Sequence, residues 1–138
     1  MVKNLLVRDL MTRGPLTLKA NESLGAAMAL MVERRFRHVP IVDERDHPVG
    51  VISKQDLIRV ATKLICGSEK HGWKKLEVST VMEMRFESVD PETRGVAAAR
   101  QILLSSRSCL LVIDKNGTLI GILTEADYLR QVLRDGGG

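Results

Sequence analysis

The sequence repeats itself, and this repeat constrains the possible folds more than any other feature. When the chain is shifted by 71 residues, Val7–Thr62 aligns with Val78–Leu133 without a gap. Chance similarity between two amphipathic stretches rarely keeps Gly, Ser or Thr, and Asp aligned across a loop, so two copies of one structural unit are predicted. The identical pairs include Val7/Val78, Met11/Met82, Ala26/Ala97, Ala27/Ala98, Asp43/Asp114, Gly50/Gly121, Asp56/Asp127 and Arg59/Arg130.

Each repeat shows the same succession of patterns. A brief extended piece precedes a helix whose apolar residues recur every three to four positions. Two short apolar runs then flank a polar turn, which indicates a hairpin, and an amphipathic helix closes the repeat. In the two repeats these patterns cover Leu16–Leu18 and Glu87–Val89, Leu24–Arg35 and Arg94–Ser105, Val39–Val42 and Leu110–Ile113, Val49–Ser53 and Leu119–Thr124, and the helices that begin at Lys54 and Glu125. The order β-α-β-β-α in each repeat predicts an α+β protein.

Local details of the helices are predicted in the same way. Asn21 and Asp90 offer side chains that could cap the first helix of each repeat. The helical spacing groups Val32, Leu103 and Leu129 with the apolar residues that should face inward.

The repeats divide the chain into four segments. We predict the first repeat at 1–66, a linker at 67–77, the second repeat at 78–135 and a tail at 136–138. One repeat alone would bury little apolar surface, so we expect the two to pack together with pseudo-two-fold symmetry.

The linker contains the sole tryptophan, Trp73, which is predicted to anchor it to the body of the protein. Its charged residues Lys70, His71, Lys74 and Lys75 fit a solvated connector, and a patch that binds phosphate or a partner is the alternative.

Composition narrows the class of protein. Apolar residues make up 44% of the chain but aromatic residues only 3%, so the core should be aliphatic. The net charge of +4 suits anionic ligands without forming the basic stripe expected of a dedicated nucleic-acid binder.

Several other classes are excluded by missing motifs. The sequence contains neither a Cys-x-x-Cys motif nor histidines at ligand spacing, so no metal site is expected and both thiols, Cys66 and Cys109, should be inert. It contains no Gly-x-Ser-x-Gly, His-Glu-x-x-His or Walker motif, which argues against an enzyme. Without a signal peptide or a membrane-spanning apolar stretch, a soluble cytoplasmic protein is expected.

The most informative motif, Gly-x-x-Ser/Thr-x-x-Asp, occurs at Gly50–Asp56 and at Gly121–Asp127. Its glycine leaves room for close approach of a backbone, and the helix N-terminus that follows favours phosphate. Its Asp can accept hydrogen bonds from backbone N–H groups or from a pair of ligand hydroxyls. The spacing also matches a capping box, which would only stabilise the helix. Two copies in the same strand–turn–helix context favour the ligand interpretation.

Further matching residues are Met11-Thr12 and Met82 near the starts of the repeats, and the runs His38–Asp43 and Leu110–Asp114. Together with the two motifs, they make the chain resemble a tandem pair of cystathionine β-synthase (CBS) domains, often called a Bateman module. The resemblance extends from about Val7 to Leu133. It implies a regulatory pocket between the repeats that accepts AMP, ADP, ATP or S-adenosylmethionine, with no cofactor required.

The resemblance also implies which residues line that pocket. Asp56 and Asp127 would accept the ribose hydroxyls, and Ser53 and Thr124 would lie at the phosphate side. Arg37 would reach the phosphate, while residues of the first strand and those before the second strand would line the base. The complete set is Leu16, Thr17, Arg37, His38, Ser53, Asp56, Glu87, Ser88, Ser108, Cys109, Thr124 and Asp127.

The two copies of this set are not equivalent. The first has Arg34, Arg35 and Arg37 before its second strand, whereas the second is rich in serine there and has Glu87 at its first strand. We therefore expect one occupied site, or two sites of unequal affinity. A solvated helix end is the alternative explanation of the arginines.

The resemblance and the apolar helix faces at 54–66 and 125–133 also predict a homodimer. The main alternative function is a structural module for dimerisation or protein interaction that binds no small molecule. Nucleic-acid binding through the basic segments is a weaker alternative. The regulated partner cannot be named from the sequence, and no membrane association is expected.

Overall fold

Helices and strands follow one another along the chain in the order that the repeat predicts. The structure is a computed structural model that describes residues 4–67 and 72–136. The helices are α1 (Val7–Leu10), α2 (Leu24–Arg34), α3 (Lys54–Cys66), α4 (Gly95–Leu104) and α5 (Glu125–Gly136), and the strands are β1 (Thr12–Arg13), β2 (Leu18–Lys19), β3 (His38–Val42), β4 (Pro48–Ser53), β5 (Ser88–Val89), β6 (Cys109–Ile113) and β7 (Leu119–Thr124). Short 3₁₀ turns cover Trp73–Lys75 and Val78–Thr80. The predicted α+β fold is confirmed.

The described residues form two units with separate sheets. The first unit is Leu16–Arg85, and the second unit combines the residues up to Pro15 with those from Phe86 onward. In the first unit the strand order is β2-β3-β4, and in the second it is β1-β7-β6-β5. Within each unit the short first strand pairs in parallel with the next strand, which forms an antiparallel hairpin with the third. The hairpins are those that the two apolar runs of each repeat predict.

The start of each repeat belongs to the unit that contains most of the other repeat. In the second unit, Thr12 pairs with Ile122 at the free edge of β7. In the first unit, Glu83 and Val51 form the equivalent bridge. Glu83 N donates to the carbonyl oxygen of Val51 at 2.9 Å, and Val51 N donates to that of Glu83 at 3.0 Å. Because these pairs are related by the 71-residue shift, the exchange is reciprocal. We call residues 7–13 and 78–84 the exchanged segments.

The glycine of each motif makes room for an exchanged segment. A Cβ atom at Gly50 would lie 2.8 Å from Met82 Sδ and 3.0 Å from the carbonyl oxygen of Glu83. At Gly121 it would lie 2.5 Å from Met11 Sδ and 3.1 Å from the carbonyl oxygen of Thr12. The identical Gly and Met pairs of the repeat are therefore explained by one contact that occurs in both units.

Each unit has its own aliphatic core. In the first, Leu24, Ile41 and Ile52 are fully buried together with Val78 of the exchanged segment. In the second, Leu110 and Leu123 are fully buried with Val7. An aliphatic core was expected from the scarcity of aromatic residues, and the exchanged segments supply part of it.

Trp73 lies at the edge of the first core, as the predicted anchor of the linker should. Its partly buried side chain packs against that core, and Lys74 Nζ lies 5.8 Å from the centre of its ring. Lys74 and Lys75 are exposed, in keeping with a solvated connector. Lys70 and His71, like the last two residues of the predicted tail, lie outside the described residues.

Two local predictions were wrong. The N-cap of α2 is Ser23, whose side chain accepts a hydrogen bond from Ala26 N, and the N-cap of α4 is Arg94, which makes no side-chain cap. Both helices start later than the predicted caps because the chain turns once more before each of them. Val32 and Leu103 are each 79% exposed and Leu129 is 66% exposed, so their side chains face solvent rather than the cores.

Within residues 4–67 and 72–136, no helix is both long and apolar enough to cross a membrane. The cytoplasmic location stays a prediction.

The glycine contact predicts the effect of a single added methyl group. Gly121→Ala should lower the free energy of unfolding by about 1–3 kcal/mol, because the new Cβ would crowd Met11 and the backbone of Thr12. Gly136→Ala is the matched control, because nothing lies within 4 Å of a Cβ added there. Urea unfolding of the two variants measures the difference. Equal stability of both would contradict the role of Gly121 in docking the exchanged segment.

Candidate functional site

One end of the first unit's sheet gathers the site residues predicted from the first repeat. Leu16 and Thr17 immediately precede β2, and His38 begins β3 directly opposite Ser53 at the end of β4. Arg37 lies beside the start of α3, because its carbonyl oxygen accepts a hydrogen bond from Lys54 N at 2.8 Å. The strand register therefore brings these residues to the N-terminus of a 13-residue helix.

The second unit repeats this arrangement with different side chains. Cys109 pairs with Thr124, and Leu111 N donates to the carbonyl oxygen of Glu87 at 3.0 Å. Glu87 and Ser88 are exposed, and Ser108 has a left-handed backbone conformation, with φ of 58°, just before β6. The six residues predicted from the second repeat thus lie around the start of α5.

Asp56 forms the capping box that its spacing allows. Ser53 N donates to Asp56 Oδ2 at 2.8 Å, and Asp56 N donates to Ser53 Oγ at 3.1 Å. The Asp56 side chain is only 4% exposed, and Arg59 Nη1 lies 3.6 Å from its Oδ1 atom. The capping box that the spacing allows is therefore present in this copy. The proposed contact with ribose stays a prediction.

Asp127 is equally buried, at 4% exposure, and it accepts bonds from three sources. Thr124 N donates to Oδ2 at 2.8 Å, and Thr12 Oγ1 donates to Oδ1 at 2.9 Å. Arg130 Nη2 also donates to Oδ1 in a short ion pair. A buried carboxylate needs such partners to offset the loss of hydration.

The sequence did not reveal two kinds of neighbour of these carboxylates. Arg59 and Arg130 lie three residues after Asp56 and Asp127 on the same helices, so the i,i+3 spacing of an identical pair could have identified them. Thr12 could not have been identified in this way. It is 115 residues from Asp127 in sequence and reaches it only because of the exchanged segment.

Cys109 is buried at the start of β6. Burial raises the pKa of its thiol to about 11, an effect that Arg107 opposes and Glu87 reinforces. The thiol is therefore protonated at neutral pH. Cys66, at the end of α3, is exposed, so burial supports the expectation of an inert thiol for Cys109 but not for Cys66. No group of three or more His, Cys, Asp or Glu side chains that could hold a metal ion occurs within the described ranges.

Each unit thus has a Ser/Thr–Asp motif at the N-terminus of a long helix, beside the starts of two strands. The sequence model of the CBS domain matches residues 7–63 and 78–134. The chain belongs to the CBS domain family. Its two matches correspond to the two repeats, so the resemblance inferred from the motifs is confirmed.

Two solved CBS-pair neighbours cover nearly the whole chain. The acetoin utilization protein AcuB of Vibrio cholerae is 29% identical, with a TM-score of 0.83 over 94% of this chain and 92% of that protein. CBSX2 of Arabidopsis thaliana, solved in complex with AMP, is 31% identical, with a TM-score of 0.81 over 95% of this chain and 98% of that one.

Curated relatives include far longer proteins with enzyme names. Homoserine O-acetyltransferase of Methanococcoides burtonii is 31% identical over 126 residues, which are 91% of this chain but 24% of that protein. The chain therefore spans about a quarter of the length of the first curated relatives it matches. The similarity to these enzymes is confined to a CBS pair.

The two thiols should differ sharply in reactivity. At pH 8, Cys66 should react rapidly with a disulfide reagent such as DTNB, whereas Cys109 should react only after unfolding, because it is buried and its pKa is raised to about 11. Spectrophotometric counting should give one fast thiol in the native protein, none in Cys66→Ser and one in Cys109→Ser. Two fast thiols in the native protein would show that Cys109 is accessible.

Proposed function

We propose that this CBS pair is a regulatory module, not an enzyme, that binds an adenosyl ligand such as AMP, ADP, ATP or S-adenosylmethionine. Its repeats at 1–66 and 78–135, joined by 67–77, each supply a half-site, and no cofactor is required. The observation that carries the proposal is the gathering of strand starts, a Ser/Thr–Asp motif and a helix N-terminus at one end of each sheet.

The first half-site is suited to a phosphate. The N-terminus of α3 supplies the positive end of the helix dipole. Its N–H groups at Lys54 and Asp56 already donate to Arg37 and Ser53, so the attraction is mainly electrostatic. Arg37 has an exposed side chain beside this helix start and adds a positive charge. Ser53 would lie at the phosphate side, and Leu16, Thr17 and His38 would line the base.

The second half-site offers a less favourable environment for an anion. The position equivalent to Arg37 is occupied by Ser108, and Glu87 places a negative charge at the first strand. Ser88 and Cys109 would line the base beside Thr124. We therefore propose unequal affinities, with phosphorylated ligands bound more tightly at the first half-site.

The crystal structure of CBSX2 with AMP supports an adenine nucleotide as the ligand class. That protein is 31% identical over nearly the full length of both chains. Similarity at this level also supports the assignment of Asp56 and Asp127 as ribose acceptors, because the motif that contains them is the part of the sequence that carries the family resemblance.

A second candidate function is an interaction module without a small-molecule ligand. The observation that favours it is the full use of the motif carboxylates within the protein. Asp56 closes a capping box, and Asp127 accepts bonds from Thr12, Thr124 and Arg130. Under this candidate the motif only stabilises the two units.

Homodimerisation is proposed alongside either function. Ile58 and Ile65 on α3, and Leu129 and Leu133 on α5, are exposed apolar side chains. Helices with such faces commonly bury them against a partner, and a second copy of the chain is the partner proposed. A cytoplasmic location without membrane or nucleic-acid partners is proposed as well.

Isothermal titration calorimetry with AMP, ADP, ATP and S-adenosylmethionine separates the two candidate functions. We expect at least one of them to bind. Asp56→Ala and Asp127→Ala should each remove one half-site, and Asp135→Ala, an exposed control on α5, should have no effect.

Arg37→Ala should weaken binding of phosphorylated ligands about tenfold or more, because a charge-assisted hydrogen bond is lost. Arg45→Ala, in the exposed turn after β3, is its control. If none of the four ligands gives a heat of binding with the wild-type protein, the interaction module is the better assignment.

Sedimentation velocity at micromolar concentration tests the homodimer. The wild type should sediment as a dimer, and the pair Leu129→Glu with Leu133→Glu should sediment as a monomer, because two charges would be placed in the apolar contact. Leu76→Glu is the control, because Leu76 is also exposed but lies outside both helices. A wild-type monomer would contradict the proposal.

A further inference from the structure

We propose that Thr12 competes with the ligand for the carboxylate of Asp127, so that ligand binding at the second half-site breaks the bond from Thr12 and loosens β1, the strand that carries it. This inference rests on the proposed function, since it takes Asp127 as the acceptor of the ligand's ribose hydroxyls. It adds a regulatory consequence, namely a link between occupancy of the second unit and the docking of β1.

The hydrogen bonds of Asp127 show why competition arises. A carboxylate has about four acceptor positions on its two oxygens. Oδ1 accepts Thr12 Oγ1 at 2.9 Å and Arg130 Nη2, while Oδ2 accepts Thr124 N at 2.8 Å and faces Thr124 Oγ1 at 3.5 Å. A ribose diol brings two further donors. Loss of the weak contact from Thr124 Oγ1 frees only one position, so one of the three closer donors must also leave before the diol can bind.

Thr12 is the donor that leaves most easily. The bond from Thr124 N holds the first turn of α5, and Arg130 carries a charge that pairs with the carboxylate. Thr12 is a neutral donor on an exposed residue, so its hydroxyl can bond to water instead. Its strand, β1, is only two residues long, so few backbone hydrogen bonds hold this strand to β7.

In the first unit, the position equivalent to Thr12 is occupied by Glu83, which makes the same backbone bridge, to Val51. Its side chain accepts a hydrogen bond from Arg85 N at 3.0 Å, and a carboxylate accepts rather than donates. The equivalent residue of the first unit therefore does not repeat the competition described for Thr12.

Linkage makes this competition reciprocal. If the bond from Thr12 lowers the affinity of Asp127 for a ligand, the ligand must weaken the docking of Thr12 by the same factor. Strand β1 then acts as an element whose docking reports the state of the second half-site.

Calorimetry with AMP on proteins that also carry Asp56→Ala tests the inference, because this background isolates the second half-site. Thr12→Val removes the hydroxyl but keeps the branched shape, and we expect it to bind AMP about tenfold more tightly. Thr12→Ser keeps a donor and should bind as the parent does. Thr80→Val is the matched control, because its hydroxyl donates at 2.7 Å to the carbonyl oxygen of Glu77 and touches neither motif. Equal or weaker binding by Thr12→Val would overturn the inference.

Hydrogen exchange on the wild-type protein gives an answer that needs no variant. Gly14 N donates to the carbonyl oxygen of Ile120 at 3.2 Å, next to β1, so its amide reports the docking of this strand. Saturation with AMP should accelerate its exchange but not that of Glu83 N, which bonds to Val51 in the first unit. Unchanged or slower exchange at Gly14 in AMP-saturated protein overturns the inference.

The two hypotheses fail in different ways. Absence of AMP binding to the wild type contradicts an AMP-binding function itself. Binding of AMP to the wild type, with no gain in Thr12→Val, leaves the function standing and rejects the competition.

Discussion

The contact between an exchanged segment and a motif glycine is the interaction on which the rest of the structure depends. Met11 lies over Gly121 in the second unit, and Met82 lies over Gly50 in the first. Because no Cβ is present, the backbone of the exchanged segment can approach closely enough to pair with the last strand of the hairpin. The same approach buries Val7 and Val78 completely, so each core is completed by residues from the other repeat. Neither repeat contains a full core of its own, which explains why so short a repeat occurs as a pair.

This construction places the motif at the meeting point of three elements. The strand that carries the glycine ends at Ser53 or Thr124, the helix that follows is capped there, and the exchanged segment passes beside it. A buried carboxylate in such a place must be satisfied by hydrogen bonds, and Asp56 and Asp127 both are. The proposed contact with ribose would use the same carboxylate oxygens that these hydrogen bonds occupy. A ligand that brings two hydroxyl donors to one carboxylate would therefore change what the protein itself bonds to.

Duplication supplied two copies of this arrangement, and substitution made them unequal. Arg37 and Ser108 occupy equivalent positions, as do Thr12 and Glu83. The first pair sets the charge beside the helix N-terminus, and the second sets whether a hydroxyl reaches the motif carboxylate. The strand registers and the glycine contacts agree in the two units. The backbone just before the second strand differs, because Ser108 has a left-handed conformation and Arg37 does not. The differences thus concern side chains and the local backbone at the site.

Structural features that depend on residues close together along the chain could be predicted from the sequence. The 71-residue repeat, the hairpins, the helices and the capping box at Ser53–Asp56 all follow from local periodicity and local hydrogen bonding. The ion pairs of Arg59 and Arg130 with the motif carboxylates also lie within one helical turn, so they could have been predicted from the i,i+3 spacing. Helix faces were less predictable, since helical spacing alone does not show which of several apolar residues a neighbouring element will cover, and Val32, Leu103 and Leu129 are exposed. The exchange of the first segments between the repeats is visible only in the folded structure, and this exchange brings Thr12 to Asp127. That contact joins residues 115 apart in sequence, and no local pattern records which strand edge a distant two-residue strand will pair with.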